Sequence, residues 1–374
     1  MKSYGIKNIS AILATVMTLF LAASCADGAE GTAPPDGQPT VGIRLSVSMD
    51  SAPSTRATTE KTGAVSRGLN VDKLICGVYD ADGNLLKQFG TTADGLIVYE
   101  NLTAAEWPVS IELQLMRNQA YKIALWAQSG ACTAYDTSDL SAVRIDYEGL
   151  NNDELRDAFC ASETFTAVGS LSRAVVLRRP FAQVNVGIRK YDYEDAVAAG
   201  YRIVKSQITI RNAATCLDAV NNAVGVSGEG SPVPVTYGYA TIPAEQYDPE
   251  EFLFVDLDND NRYNSYDTPR PEAGQTGPEV FKYLSMCYVL AAVGDVGTGG
   301  AAAGAGLDIS FEYENGQRFT VADPGLENVP LQRNWNTNVV LAGDMIYPQE
   351  SGASTLGASR AGLTRVVAAA SEVR

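Results

Sequence analysis

Apolar residues recur at every second position through much of this chain, the spacing that turns one face of a β-strand to a core and the other to solvent. Val41 to Met49 sets Val41, Ile43, Leu45, Val47 and Met49 on one side and Arg44, Ser46 and Ser48 on the other. Ile111, Leu113 and Leu115 alternate with Glu112 and Gln114, and Tyr121, Ile123 and Leu125 repeat the pattern in the next run. Further strands are expected at 71–79, 84–89, 96–99, 202–211, 252–257, 280–293, 307–313, 318–321 and within 329–343. Asp80-Ala81-Asp82-Gly83 and Glu314-Asn315-Gly316-Gln317 carry the residues that tight hairpins require. Helical spacing is rare: a short capped helix is expected near Asn151 to Phe159 and a helical turn at Cys216 to Val220.

The run Ala174 to Lys190 divides the pattern in two. It reads as a strand, a bend at Pro180 and a second strand carrying Val184, Val186 and Ile188, because proline lacks a ladder N–H and belongs between ladders. Arg178 and Arg179 stand just before the bend, either as a clamp on carboxylates across the junction or as two solvated side chains. The polar stretch 133–169 reads as the connection leading to it. The expected organisation is all-β: a leader over 1–24, a tether over 25–40, antiparallel β-sandwich domains over 41–172 and 173–347, and a flexible tail over 348–374.

Composition narrows the function. The 374 residues include no histidine, which removes Ser-His-Asp and Cys-His catalysis, His-ligated zinc and histidine proton shuttles from this chain. The formal charge is -16, which repels phosphate backbones and argues against nucleic-acid partners. A hydrolase built on two carboxylates survives on composition alone. Cys76, Cys132, Cys160, Cys216 and Cys287 form no CxxC pair; buried free thiols, as in Ile75-Cys76-Gly77 and Met286-Cys287-Tyr288, are the first reading and a bridge in an oxidising compartment, with one thiol left over, is the alternative, and no cofactor is expected.

At the N-terminus Lys2 and Lys7 precede an apolar run from Ile9 to Ala22 that is too short to span a bilayer. Leu21-Ala22-Ala23-Ser24-Cys25 ends it like a lipobox, with Cys25 as the acylated residue, so the membrane is reached through a lipid anchor only. Arg56 and Arg67 lie in a Ser/Thr-rich loop that is either accessible to a trypsin-like protease or an ordinary polar loop that is never cut. Asp256, Asp258, Asp260 and Asp267 stand at positions one, three, five and twelve of a calcium-loop spacing. Asn261 occupies the place of the usual glycine, so a solvated acidic loop is the first reading and calcium the alternative.

Taken in order, the lipobox at Cys25, Thr55-Arg56-Ala57, the run Leu177-Arg178-Arg179-Pro180-Phe181-Ala182-Gln183-Val184 and the run Val329 to Asn338 resemble the fimbrillin-like lipoproteins of Bacteroidota. These are relatives of type V pilus subunits, and the chain is most similar to a branch without an assigned function. The resemblance implies two transthyretin-like sandwiches and an outer-membrane, lipid-anchored surface location. It further implies that an arginine-specific protease, cutting after Arg56 or Arg67, removes the first strand so that another subunit's strand fills its place. The tail after Pro348 lacks a long alternating strand, which suits an accessory, tip or anchor role better than a pilus shaft. Partners would be other fimbrial subunits or host and bacterial surface ligands. The competing reading is a glycan-binding surface lipoprotein, with Trp107 as the loop aromatic; Trp126 and Trp335 read as packed.

Overall fold

The structure is a computed structural model that describes residues 39–49, 68, 70–224, 232–242, 247–248, 281–291, 303–322, 324–331, 333–341, 343–348 and 369–372. The first strands are β1 (Thr40–Met49), β2 (Lys73–Asp80), β3 (Ile97–Tyr99), β4 (Val109–Met116) and β5 (Ala120–Gln128). Next come β6 (Tyr135–Asp136), β7 (Val143–Ile145), β8 (Ala158–Thr166), β9 (Leu171–Leu177) and β10 (Phe181–Arg189). After helix α1 (Lys190–Ala198) follow β11 (Ile203–Ala213), β12 (Cys216–Asp218), β13 (Ala223–Val224), β14 (Val233–Thr236), β15 (Ala240–Thr241) and β16 (Tyr247–Asp248). The last are β17 (Phe281–Leu290), β18 (Ala303–Ala305), β19 (Leu307–Tyr313), β20 (Arg318–Thr320), β21 (Val329–Leu331), β22 (Trp335–Leu341) and β23 (Ala369–Glu372).

The fold is all-β and sandwich-like, as the alternation predicts. Sheets run in the orders β4-β1-β9 and β3-β2-β5-β8 in the first half, and β16-β17-β10-β22-β23 and β14-β11-β19-β20 in the second. Pairing is antiparallel except β1 with β9 and β10 with β22, which are parallel. Each half thus pairs its opening strand, in parallel, with a strand late in that half, and such a pair needs a long connection rather than a hairpin.

Strand β4 keeps the one-sided burial that its sequence announces, with Val109, Ile111, Leu113 and Leu115 inward and Ser110, Glu112 and Gln114 exposed. Strand β2 does not: Leu74, Cys76 and Val78 join the first core, whereas Ile75 and Tyr79 join the second. Strand β5 divides in the same way, sending Ile123 and Leu125 to the first core and Ala124 and Trp126 to the second. A sheet covered on both faces must be apolar throughout, and this one is the wall common to the two cores. Gly77 lies in β2 because a Cβ there would fall 2.7 Å from the Tyr79 ring.

Several local expectations are corrected. Asn84 to Phe89 is an isolated bridge at Leu85 followed by a 3-10 turn, because Leu86 N bonds Val78 O across the tight turn that Gly83 closes. Cys216 to Asp218 is β12, paired with β7 and β13, and not a helical turn. The helix expected near Asn151 shrinks to a 3-10 turn, Glu154–Arg156, capped by the Asp153 side chain. The stretch read as a connection contains β8, which pairs with β5 over nine residues. Helix α1 was not expected; Tyr193 and Ala196 are its buried side, and Gly200, with φ +90, follows its end. Strand β23 in the tail pairs with β22. The expected strand at 252–257 lies outside the described residues.

Candidate functional site

The feature with functional geometry is β1. It is the middle strand of its sheet, antiparallel to β4 with Leu45 opposite Ile111, and parallel to β9 with Leu45 opposite Arg173. Ile43, Leu45 and Val47 are buried in the first core, whereas Arg44 is exposed and reaches Glu112 of β4 at 2.6 Å. Lifting β1 out would therefore leave a slot open along its length, with ladder groups on both walls and an apolar floor. An extended segment alternating apolar and polar side chains is the ligand that such a slot accepts.

The chain leaves the strand at Met49, and the next described residue is Gly68. Its backbone N–H donates to Asp157 Oδ2 at 3.0 Å, and its φ of +66 is one that glycine adopts freely. Asp157 in turn accepts from Arg179 Nε at 2.7 Å and Nη2 at 3.0 Å. The guanidinium lies 4.3 Å from the Phe159 ring centroid and Nη1 donates to Asn334 Oδ1 at 3.4 Å. The backbone N–H of Asn334 donates to Phe181 O. Asp157 is 1% exposed and Arg179 3%, so this is a buried bidentate pair with further hydrogen bonds on both partners. The two sequence runs on either side of Pro180 and around Asn334 thus meet in space. Arg179 is the clamp; Arg178 is exposed and its backbone pairs with Cys160. Sequence reasoning missed Asp157 and Gly68 as the other members of the cluster. The only signal for Asp157 was an acid set between Leu155 and the apolar start of β8.

Beside the end of β1 lies a cleft of about 350 Å³ lined by Met49, Val71, Asp72, Leu102, Trp107 and Leu155 among others. Trp107 is half-buried against the first core and its Nε1 has no hydrogen-bond partner. Trp126 is fully buried, donates to Gln128 Oε1 at 2.7 Å and packs edge-on against Tyr135 and Phe181. The side chain of Trp335 lies outside the described residues.

All five cysteines expected to be free are free and buried. Burial pushes the Cys160 thiol up to about 11 and the Cys76 thiol up to about 12. Cys25, Arg56, Arg67, Asp256, Asp258, Asp260 and Asp267 lie outside the described residues. Among the described residues no three His, Cys, Asp or Glu side chains come together as metal ligands, and no helix is long and apolar enough to cross a membrane.

The class this architecture defines is an all-β, two-core protein with one short helix, whose opening strand lies between two others. The chain belongs to a family of unknown function (DUF6562), whose model matches residues 36–346. No curated protein matches it in sequence. Among solved structures it is similar to a "putative adhesin" from Bacteroides thetaiotaomicron VPI-5482, at 14% identity and a TM-score of 0.40, over 83% of this chain and 94% of that one. It is similar to the fimbrial anchor protein Mfa2 from Porphyromonas gingivalis, at 11% identity and a TM-score of 0.36, over 80% and 90%. A third, described among "putative polysaccharide binding proteins" of Bacteroides thetaiotaomicron VPI-5482, has 12% identity and a TM-score of 0.37, over 81% and 92%.

Proposed function

We propose that this chain is a non-catalytic, cell-surface adhesion protein related to fimbrial subunits, held at the outer membrane by a lipid on Cys25. The observation that supports this most is the placing of β1 at the centre of β4-β1-β9, where removing one contiguous segment opens a slot. Processing after Arg56 or Arg67 would separate that segment from the body of the chain, and a partner's strand would take its place. In this reading the chain carries two β-sandwich domains, and β9 (Leu171–Leu177), which pairs with β1, moves the boundary from 172/173 to the bend at Pro180. An accessory, tip or anchor role is favoured over a shaft role. The stretch after Pro348 is rich in Ala, Ser and Gly and carries no long alternating run of the kind that would fill such a slot in a neighbour.

The test is to cut the purified precursor with an arginine-specific protease and add a labelled peptide with the sequence of residues 41–49. The expected result is replacement of β1 by the peptide without ladders of polymer on a gel. Failure of excess peptide to enter the cut protein would remove the strand-exchange reading, and spontaneous ladders would replace the accessory role with a shaft role.

A second reading, glycan binding, is favoured by one observation: Trp107 and Asp72 line the same cleft, as an aromatic wall with a carboxylate suits a sugar ring. Glycan-array binding that disappears in Trp107→Ala at an unchanged melting temperature would support it. Binding that persists in the variant would dismiss the cleft.

A further inference from the structure

We infer that the outer edge of β4 is a second docking line: it takes an extended segment of a partner protein that carries a lysine or arginine opposite Glu112, and it needs no cleavage of the chain. The edge is distinct from the β1 slot and does not depend on processing.

Among the described residues β4 pairs with β1 alone and so ends the sheet β4-β1-β9. The ladder shows which of its backbone groups are already spent. Arg117 N donates to Pro39 O on the β1 side, whereas Met116 N turns the other way and donates to Tyr121 Oη at 3.0 Å. Backbone direction alternates along a strand, so Val109, Ile111, Leu113 and Leu115 bond to β1, and Ser110, Glu112 and Gln114 aim their N–H and C=O groups away from it. Edge strands are ordinarily guarded by a proline, a bulge or an inward-pointing charge. Strand β4 has none of these within its span. Its register against β1 is unbroken from Val109 to Met116, its inward residues are all apolar, and its one charge, Glu112, lies on the outer face.

The occupant follows from this pattern and from the charge. A strand laid antiparallel to β4 sets alternate side chains beside Ile111 and Leu113 on the core side, and the others beside Ser110, Glu112 and Gln114 on the wet side. The first set must be apolar and the second polar. Glu112 is about two-thirds exposed and accepts from Arg44 through Oε1, and a carboxylate has lone pairs for a second cation. Glu106, exposed just before the strand and bonded by the N–H and hydroxyl of Thr103, adds a further negative charge to this end of the sheet. A basic residue at the central outer position is the complement. A second copy is a poor one, because β4 paired with β4 about the centre of its three outward residues would set Glu112 against Glu112.

The experiment uses the full, uncut chain and a dye-labelled peptide with the sequence of residues 40–47, which already pairs antiparallel with β4 and sets an arginine opposite Glu112. Fluorescence anisotropy is expected to show saturable binding. Gln114→Pro removes one outward N–H and leaves the β1 ladder whole, and should weaken binding at least about tenfold. Glu112→Lys should weaken it similarly and recover binding when the peptide carries glutamate in place of its arginine. Amide hydrogen exchange reads the geometry: the peptide should slow exchange at Glu112 and Gln114 and leave Ile111 and Leu113 unchanged. Melting curves show whether each variant keeps its fold, and Glu112→Lys together with the exchange pattern carries the test if Gln114→Pro does not fold. Absence of saturable binding, or equal binding by a folded Gln114→Pro, would overturn the inference. Faster exchange at Ile111 and Leu113 would mean that the peptide displaces β1, which supports the slot and overturns the edge. A dimer of the chain that Gln114→Pro abolishes would overturn the partner in favour of a second copy.

Discussion

Two ion pairs of nearly equal length separate what burial does from what distance does. Arg44 meets Glu112 at 2.6 Å with both side chains about two-thirds exposed, and Arg179 meets Asp157 at 2.7 Å with almost no exposure. Arg44→Ala is expected to change stability by less than about 1 kcal/mol, because water already solvates both charges. Arg179→Ala should lower it by about 3–5 kcal/mol, since the Asp157 carboxylate would stay buried without its cation. Urea denaturation of the two variants checks the contrast. The sequence left Arg178 and Arg179 open between a clamp and solvated side chains and could not name a partner, because the acid that meets Arg179 is 22 positions away and nothing in the local pattern marks that acid as buried. The thiols behave as their apolar neighbours dictate. Their folded values are raised, so their contribution to stability is complete below the ordinary thiol range near 8.5 and is lost as pH rises through about 11 to 12. The urea midpoint is expected to fall between pH 8.5 and 11.5, and a thiol reagent at pH 8 should label the five cysteines only after unfolding.

Among the elements, β1 gives the sharpest energetic expectation. Leu45 is wholly buried, so Leu45→Ala should lower stability by about 2–5 kcal/mol, whereas Ser46→Ala on the outer face should change it by no more than about 0.5 kcal/mol. Equal effects, measured by thermal melting, would mean that the observed register is wrong, because a slip of one residue exchanges the two faces. Strands β1 and β4 were legible because each has one wet face, which preserves the alternation of its residues. Strand β8 was not: Ala158 and Cys160 face one core while Phe159 and Phe165 face the other, and its Ser162, Glu163 and Thr164 read as a loop. Helix α1 was hidden for a different reason. Nine residues with Tyr193 and Ala196 as the inward side give too few repeats to stand out against the tertiary packing that stabilises them.

For the molecule as a whole, the shared wall matters most. Trp126 leaves β5 on the side of the second core and packs against Phe181 at the start of β10, so it ties the first half's sheet to the second half's first strand. Trp126→Ala is expected to lower stability by about 3–5 kcal/mol and to shift the unfolding of both halves together, which tyrosine fluorescence and circular dichroism would report as one coincident transition. The sequence placed the bend at Pro180 between β9 and β10, because a proline must fall outside both ladders. It did not reveal that the halves share a sheet, since an apolar run is equally compatible with one buried face or two. The long-range pairing of β1 also has a consequence for how the chain is made. Ile43 pairs with Leu113 on one side and with Leu171 on the other, so the first strand to emerge during synthesis has to wait for a partner produced much later. Until Leu171 to Leu177 arrives, its vacant side is open to whatever extended chain is nearby, and crowded secretion of identical copies would favour swapped dimers over correctly closed monomers.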